Sequence, residues 1–325
     1  MIVLTAMGYF FVFMIYLPQQ LVIPNEISTP LEFEITIGES ISEIAVQLRQ
    51  KQIINDKWAF VEFLKRENLD TKIEAGHFQF IGEETIPEVA EILLKSSTEQ
   101  LSVTILEGWN SFEIDAKLTE LGLIQPNAFA LFIREGGDDQ PTFVINRPTA
   151  NIEGYIFPET YFIDPQNFSV DGLVLRMLTA MDENLQLAGW DSISSQRTLH
   201  EILTLASIVE LEEKSEINRP LVADILWRRL DSGMGLYADA TLFYALGHRE
   251  NLTRTDLQTD SPYNTRLNRG LPPTPICSPS LSSIRAALHP KTNDFWYYLH
   301  DITTGEIHFA QTLEGHNRNK ALFIR

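Results

Sequence analysis

A glutamate near the end of a predicted helix carries the clearest chemical signal in the sequence. Thr198 and Glu201 match a capping box, in which each side chain binds the other's exposed backbone amide, and so predict that a helix begins there. Further along, Glu210 emerges beside an apolar stripe, between Val209 and Leu211. A carboxyl group partly stripped of water favours its neutral form. Such a group can protonate a glycosidic oxygen near pH 7, so we predict that Glu210 is a general acid.

The same pattern has a structural interpretation, which the sequence leaves open. Glu210 also fits the start of a polar helix end, where its carboxylate would face water or an arginine. Glu212 and Glu213, which follow it, are expected to face solvent. A second helix is predicted over 220–230, because Pro220 suits the first turn of a helix.

The loops after these helices are rich in polar and aromatic residues and are made rigid by proline. Polysaccharide sites have this composition, since aromatic faces contact sugar rings and polar groups bind their hydroxyls. We expect Asp239, Tyr263 and Asn264 to orient a glycan or the catalytic glutamate. Each also has a structural alternative: a turn cap for Asp239, loop packing for Tyr263 and an Asx turn for Asn264. Glu153 and Glu159 are candidates for a second carboxylate.

Histidine and cysteine give no sign of a metal site. His289, His308 and His316 lie in one stretch, but their spacing matches no helical zinc pattern. Cys277 is the one cysteine of the sequence, which excludes both a disulfide framework and a cysteine-based zinc site. We therefore expect no metal ion and no other cofactor.

The charge of the sequence excludes one class of partner. The 325 residues contain 44 acidic and 25 basic side chains, a formal net charge of −19. Nucleic-acid binding needs a basic footprint, so we expect no nucleic-acid partner. Arg219 to His289 is an exception, with eight basic and six acidic residues. This stretch predicts a locally basic cleft, suited to a substrate that bears carboxylates.

Small strand-and-helix units are predicted to precede these motifs. An alternating strand followed by a short amphipathic helix recurs at 33–37, 76–80 and 101–105, with Ser40 and Thr85 as helix caps. This weak repeat indicates α+β modules rather than a parallel sheet, although any α+β chain can produce such coincidences. The first unit resembles the LysM glycan-binding module.

The N-terminus predicts a membrane anchor. Residues 1–17 carry no charge, and the apolar run resumes at 21–23, which approaches the ~20 apolar residues that a bilayer core needs. A cleaved signal peptide and a buried core helix are the alternatives. Residues 134–150 are rich in turn formers and predict a boundary, so we place the second domain from Asn151 onward.

Several motifs in order are similar to those of the YceG-like family, the membrane-anchored endolytic murein transglycosylases. The resemblance covers nearly the whole chain and is carried by Glu153-Gly-Tyr155-x-Phe157-Pro158-x-Thr160-Tyr161, Ala206-Ser-Ile-Val-Glu210-x-Glu212, Arg219-Pro220-Leu-Val-Ala223, Asp239-x-Thr241, Tyr263-Asn264-Thr265, Gly270-Leu-Pro-Pro273, His289-Pro290 and His316-Asn317. Two departures stand out. Leu211 replaces the family's usual lysine between two glutamates, and Tyr237-Ala238-Asp239-Ala240-Thr241 replaces Gln-Thr-Asp-Pro-Thr.

The resemblance implies an α+β fold and a reaction. The parts would be a transmembrane helix over 1–24, LysM-like modules over 25–150 and an α+β catalytic domain over 151–325. The family's catalytic glutamate falls on Glu210, which would protonate the oxygen between N-acetylmuramic acid and N-acetylglucosamine. As a carboxylate it would then remove the proton of the muramyl 6-hydroxyl, which closes onto C1 as a 1,6-anhydro product.

The resemblance also implies a location and partners. The body would face the periplasm or cell wall from the cytoplasmic membrane, with nascent peptidoglycan strands as substrate and cell-wall synthases as partners. A non-catalytic peptidoglycan-binding or scaffold protein is one alternative, and a hydrolase with a second carboxylate is another.

Overall fold

Helices and small two-stranded sheets make up a mixed α/β fold. The structure is a computed structural model that describes residues 16–36, 38–94, 101–136, 144, 147–190, 196–248 and 252–324. Its contacts divide the chain into two compact units, Met1–Val103 with Phe162–Phe168, and Thr104–Tyr161 with Ser169–Arg325. The sequence placed a boundary near residue 150, and its assignment of 25–150 and 151–325 to glycan binding and catalysis stays a prediction.

The first unit packs short helices on an antiparallel pair of strands. Phe33 lies opposite Phe78 in this pair, and Phe33, Phe60 and Phe80 are buried with Leu48 in the core. The elements that carry these residues are α1 (Leu17–Leu21), β1 (Asn25–Ile35), α2 (Ile41–Gln50), α3 (Lys57–Arg66), β2 (Gly76–Glu84) and α4 (Ile86–Leu94).

The predicted strand-and-helix units are present in the structure. Ser40 caps α2 through a capping box with Glu43, and the Thr85 hydroxyl and amide both donate to Glu88 at the start of α4. The antiparallel pairing of β1 and β2 agrees with α+β modules rather than a parallel sheet. The end of the first predicted strand, residue 37, lies outside the described residues, and the LysM likeness stays a prediction.

The predicted anchor lies largely outside the described residues, which begin at Tyr16. Leu17 is fully buried in the core of the first unit, and the Tyr16 hydroxyl donates to Asp56 over 2.5 Å. Across the described part of the chain, every helix is too short or too polar to cross a bilayer. Leu17–Leu21 of the predicted anchor range forms a short helix that contacts two other helices of the first unit.

The second unit is mainly helical. A small sheet pairs β3 (Leu101–Thr104) with β4 (Thr160–Ile163). The second unit begins at Thr104, the last residue of β3. The remaining elements are α5 (Ser111–Glu120), α6 (Ala128–Glu135), α7 (Val170–Ala188), α8 (Leu199–Glu212), α9 (Arg219–Asp231), α10 (Asp239–Leu246), a 3-10 turn (Asp256–Gln258), α11 (Leu281–Leu288), the antiparallel strands β5 (Tyr297–His300) and β6 (Ile307–Ala310), and α12 (Leu313–Phe323).

Helix α8 lies at the centre of the second unit. Thr198 and Glu201 form the predicted capping box at its start. The sequence predicted a buried stripe on one side, but every residue from Ile202 to Glu210 is buried. The reason is that α8 packs against α9, α10 and α11 at once, and a helix enclosed on all sides is apolar all round.

Candidate active site

Glu210 is locked in a buried ion pair. Its Oε1 lies 2.7 Å from Nη2 of Arg219, and its Oε2 accepts hydrogen bonds from the amide of Ser280 at 2.9 Å and from its hydroxyl at 2.5 Å. Arg219 also donates to the Ser280 hydroxyl and to the carbonyl of Glu213. The two charged side chains are 5% and 6% exposed.

This setting differs from the apolar one that the sequence predicted around Glu210. Both carboxylate oxygens are engaged by the guanidinium of Arg219 and by Ser280, which caps the start of α11. The arginine contact that the sequence left as an alternative is therefore present. The cluster ties α8, α9 and α11 together, so Glu210 has a clear structural role in addition to any chemical one.

Glu212 faces a different direction from the same helix. Successive helical residues turn by 100°, so side chains two positions apart point to nearly opposite sides. Glu212 lines a cavity of about 820 Å³ in the second unit, a size within the ~300–1,000 Å³ range of small-ligand sites. Glu210 is not among the described residues that line it. The residues that line the cavity include Phe112, Leu211, Glu212, Asp239, Tyr244 and His300.

The surroundings of Glu212 favour its neutral form. Burial raises the pKa of Glu212, and the negative charge of Asp239 raises it further. Hydrogen bonds from the Tyr298 hydroxyl at 2.9 Å and from the amide of Ala240, together with the charge of His300, lower the pKa in part. The sequence expected Glu212 and Glu213 to face solvent. The structure corrects this, because β5 and α10 cover the end of α8, so Glu212 is half-buried and Glu213 is buried.

His300 forms a second contact with the end of α8. Its Nε2 lies 3.2 Å from the Glu213 carboxylate, which raises the pKa of His300. Burial alone would raise the pKa of Glu213, but hydrogen bonds from His300 and Ser215 lower it on balance. Sequence reasoning missed Tyr298 and His300. The sequence pattern that could have indicated them is two polar rings at positions i and i+2, because such residues share one face of a strand.

The structure brings Asp239 to the cavity that Glu212 lines. Asp239 begins α10, and its carboxylate accepts hydrogen bonds from Arg266 through Nε, at 3.0 Å, and Nη2. A carboxylate in the first turn also suits the positive end of the helix dipole. Its predicted role in orienting substrate stays a prediction.

Tyr263 and Asn264 lie in the loop before the Gly270 motif. The Tyr263 hydroxyl is 2.8 Å from that of Thr274, and its ring packs on Tyr244, which lines the cavity. Asn264 is fully buried and donates to the carbonyls of Leu257 and Thr259. The Asn264 Oδ1 also accepts from the amide of Arg266 at 3.1 Å, as in an Asx turn. The packing of Tyr263 and this turn fit the structural alternatives, and the predicted substrate-binding roles stay predictions.

The two other candidate carboxylates differ in burial. Glu153 is fully buried, and Glu159 is exposed. Among the histidines, His289 binds the carbonyl of Ala188 at 3.0 Å. A search of the described residues finds no group of three or more histidine, cysteine, aspartate or glutamate side chains that could hold a metal ion.

Comparisons with known proteins find relatives that are named endolytic murein transglycosylases. The endolytic murein transglycosylase of Bacillus subtilis (strain 168) is 28% identical over 315 residues, which is 93% of this chain and 87% of that protein. The endolytic murein transglycosylase of Streptococcus pneumoniae (strain R6) is 29% identical over 313 residues, 87% of this chain and 56% of that protein. The crystal structure of the yceG-like protein lmo1499 from Listeria monocytogenes is 29% identical, with a TM-score of 0.61, and the match covers 90% of this chain and 99% of that one.

A family model also matches most of the chain. The model of the YceG-like family matches residues 33–322, which confirms the resemblance that the ordered motifs predicted. The match spans both compact units and includes Glu210, Glu212, Asp239 and the loop with Tyr263. This chain belongs to the YceG-like family.

Proposed function

We propose that this chain is a murein transglycosylase that cleaves the bond between N-acetylmuramic acid and N-acetylglucosamine of peptidoglycan, with formation of a 1,6-anhydro end. Two observations support the reaction class: family membership, and similarity to proteins named endolytic murein transglycosylase. The observation that carries the site is Glu212, a carboxyl group with a raised pKa on the wall of the 820 Å³ cavity. We assign the proton transfers to Glu212 and keep Glu210 as the competing assignment.

The two glutamates differ in what they can donate. Glu210 has both oxygens occupied by Arg219 and Ser280, so a proton there would displace one of these donors. Glu212 binds only uncharged donors among the described residues, the Tyr298 hydroxyl and the amide of Ala240. It can therefore carry a proton toward the cavity without breaking an ion pair.

The reaction needs no second carboxylate. Glu212 gives its proton to the glycosidic oxygen as the bond from that oxygen to C1 of the muramyl residue breaks. The resulting carboxylate, stabilised by Tyr298 and the Ala240 amide, takes the proton of the muramyl 6-hydroxyl. That oxygen then bonds to C1, so Glu212 recovers its proton and no water is consumed. A hydrolase would instead need a second carboxylate to activate water.

We also propose a location for the reaction. Peptidoglycan lies outside the cytoplasmic membrane, so the folded units would face the periplasm or cell wall, held by an anchor in the N-terminal residues. Synthases that extend glycan strands would then be neighbours of the enzyme. LysM-like binding of glycan by residues 25–150 belongs to the same proposal.

The test of the site compares two glutamine variants on purified peptidoglycan. We expect Glu212→Gln to lower the rate of anhydro-end formation by at least ~100-fold, because general acid–base catalysis contributes ~10²–10⁴. We expect its melting temperature to change little. Mass analysis of the digest and thermal unfolding of the same samples give the two measurements.

For Glu210→Gln we expect the main effect on stability rather than on the chemical step. Removing one partner of a buried ion pair destabilises a protein by about 3–5 kcal/mol, because the other charge stays buried. Any loss of activity should therefore follow the loss of folded protein. Glu306→Gln, an exposed change in the β5–β6 turn, is the matched control. Full activity of Glu212→Gln beside an inactive but stably folded Glu210→Gln would reverse the assignment.

The same digest separates the alternative functions. Anhydro ends support a transglycosylase, reducing ends alone would show a hydrolase, and intact strands would leave the non-catalytic scaffold protein as the better account.

A further inference from the structure

A second carboxyl group, Glu153, lies behind the wall of the cavity and takes no part in the reaction above. It is fully buried. Its two oxygens lie 3.1 and 3.2 Å from the amide of Ser111, and the Ser111 hydroxyl donates to Oε2 over 2.6 Å. The Tyr244 hydroxyl donates to the same oxygen over a longer distance of 3.3 Å.

The partners of Glu153 belong to two different walls of the cavity. Ser111 is the first residue of α5, and its neighbours Asn110 and Phe112 line the cavity on that side. Tyr244 lines the cavity from α10, the helix that begins with Asp239. One buried carboxyl group therefore links the start of α5 to the middle of α10.

We propose that Glu153 is a positioning residue for substrate binding, which fixes the cavity walls formed by α5 and α10 relative to each other. The proposal rests on the proposed function, because the cavity is the one assigned to the glycan. Under this proposal Glu153 is not a second catalytic carboxylate. It affects the affinity of the cavity for its substrate instead.

The charge state of Glu153 should govern how firmly the walls are held. As a carboxylate it accepts hydrogen bonds from all three donors of Ser111 and Tyr244. As a neutral acid it must place its own proton on one of these partners, so at least one of the contacts is lost or reversed. The link is therefore complete only in the ionised form.

The surroundings place this change in an accessible pH range. Burial raises the pKa of Glu153 to about 7, against the hydrogen bonds from Ser111 and Tyr244, which lower it. The titratable groups that face it are Glu113 on α5, Tyr244 on α10 and Tyr263 in the following loop. Glu113 also raises the pKa of Glu153.

The experiment measures kcat and KM on purified glycan strands between pH 5.5 and 8.5 for the full chain and for Glu153→Gln. Glutamine has nearly the same shape but cannot ionise, and its amide nitrogen cannot accept the Ser111 bonds. We expect KM to rise about 10-fold at pH 8 with kcat within about threefold of the original. We also expect the pH dependence of KM near pH 7 to disappear. Glu120→Gln, an exposed change on the same helix α5, should leave both constants unchanged.

Two outcomes would overturn the inference. An unchanged KM that keeps its pH dependence would show that Glu153 does not position the walls. A fall in kcat alone would show that it acts in the chemical step. Failure of the proposed function is distinguishable, because the original chain would then form no anhydro ends at all.

A second variant covers the case in which Glu153→Gln does not fold at the assay temperature. Tyr244→Phe keeps the ring and removes the hydroxyl, which contacts both Glu153 and Thr274. We expect KM to rise by a smaller factor, about threefold, and more at pH 8 than at pH 6. Equal KM values for Tyr244→Phe and the original chain at both pH values would contradict the proposal.

Discussion

Neighbouring groups, more than residue type, decide what Glu210, Glu212 and Glu153 can do. Glu210 is matched by Arg219 and Ser280, so its charge is compensated and it serves as a link between helices. Glu212 has only uncharged donors and a raised pKa, which suits a group that exchanges protons. Among the described residues, Glu153 accepts hydrogen bonds from the uncharged groups of Ser111 and Tyr244, and it does not line the 820 Å³ cavity, so its charge affects stability and shape.

The buried carboxyl group of Glu153 predicts a stability profile with a definite sign. Its pKa is about 7 in the folded chain against an ordinary value of 4.5, so between these pH values the folded state binds more protons than the unfolded state. The free energy of unfolding should therefore decrease as the pH rises from about 4.5 to 7. At about 1.4 kcal/mol per pKa unit the loss is ~3 kcal/mol.

Denaturant unfolding at pH 5 and pH 8 checks this profile. The difference between the original chain and Glu153→Gln isolates the contribution of Glu153 from that of other groups. We expect the original chain to lose ~3 kcal/mol more than the variant between the two pH values. Parallel losses in both proteins would show that Glu153 titrates at an ordinary pH.

At the scale of elements, the loop that carries Glu153 is fixed by a close approach of two backbones. Gly154 has a φ of +73°, and a Cβ built there would lie 2.2 Å from Cβ of Pro275 and 2.9 Å from the carbonyl oxygen of Cys277. Any side chain would therefore push this loop away from the Pro275 loop. The contact explains why glycine follows the glutamate of this motif.

Alanine at Gly154 should consequently be severe. Gly122 has the same φ of +73° with no atom within 4 Å of the added Cβ, so it separates backbone strain from the clash. We expect Gly122→Ala to cost about 1–2 kcal/mol of unfolding free energy, and Gly154→Ala a further ~1–3 kcal/mol or more. Thermal or denaturant unfolding measures both, and equal costs would contradict the close approach.

Local sequence signals predicted the elements well. The caps of α2 and α8 were readable, because a capping box involves residues only three apart. Contacts between distant segments could not be predicted in this way. Tyr298 reaches Glu212 across 86 positions and Ser280 reaches Glu210 across 70, so neither the covered end of α8 nor the buried ion pair could be inferred from spacing. Our proposal that Glu212 rather than Glu210 transfers the proton rests on these two contacts.

At the scale of the whole molecule, several arginines of this acidic chain form contacts within the fold. The sequence predicted a locally basic cleft from Arg219 to His289. Arg219, Arg228 and Arg266 instead pair with Glu210, Asp224 and Asp239 of the same chain, and Arg229 donates to backbone oxygens of Leu236 and Trp296. These arginines mainly stabilise the fold. Arg254, Arg269 and Arg285 are exposed, but none of them is among the described residues that line the cavity of Glu212, so the basic cleft stays a prediction.

The N-terminal anchor can be tested by deletions that respect the folded unit. Removal of residues 1–15 keeps Tyr16, whose hydroxyl donates to Asp56, and Leu17, which is buried in the core. We expect this variant to move from the membrane fraction to the soluble fraction with an unchanged melting temperature. Removal of residues 1–24 should also lower the melting temperature, because the buried Leu17 is lost. A full chain found only in the soluble fraction would contradict the anchor.

The opposite directions of Glu210 and Glu212 have a consequence for how this segment can vary. Leu211 separates them along the helix and also lines the cavity, in place of the family's usual lysine. Insertion or loss of one residue would rotate Glu212 by 100° about the helix axis, away from the cavity, even with the Arg219 pair intact. The number of residues between the two glutamates therefore decides whether the second of them faces the cavity.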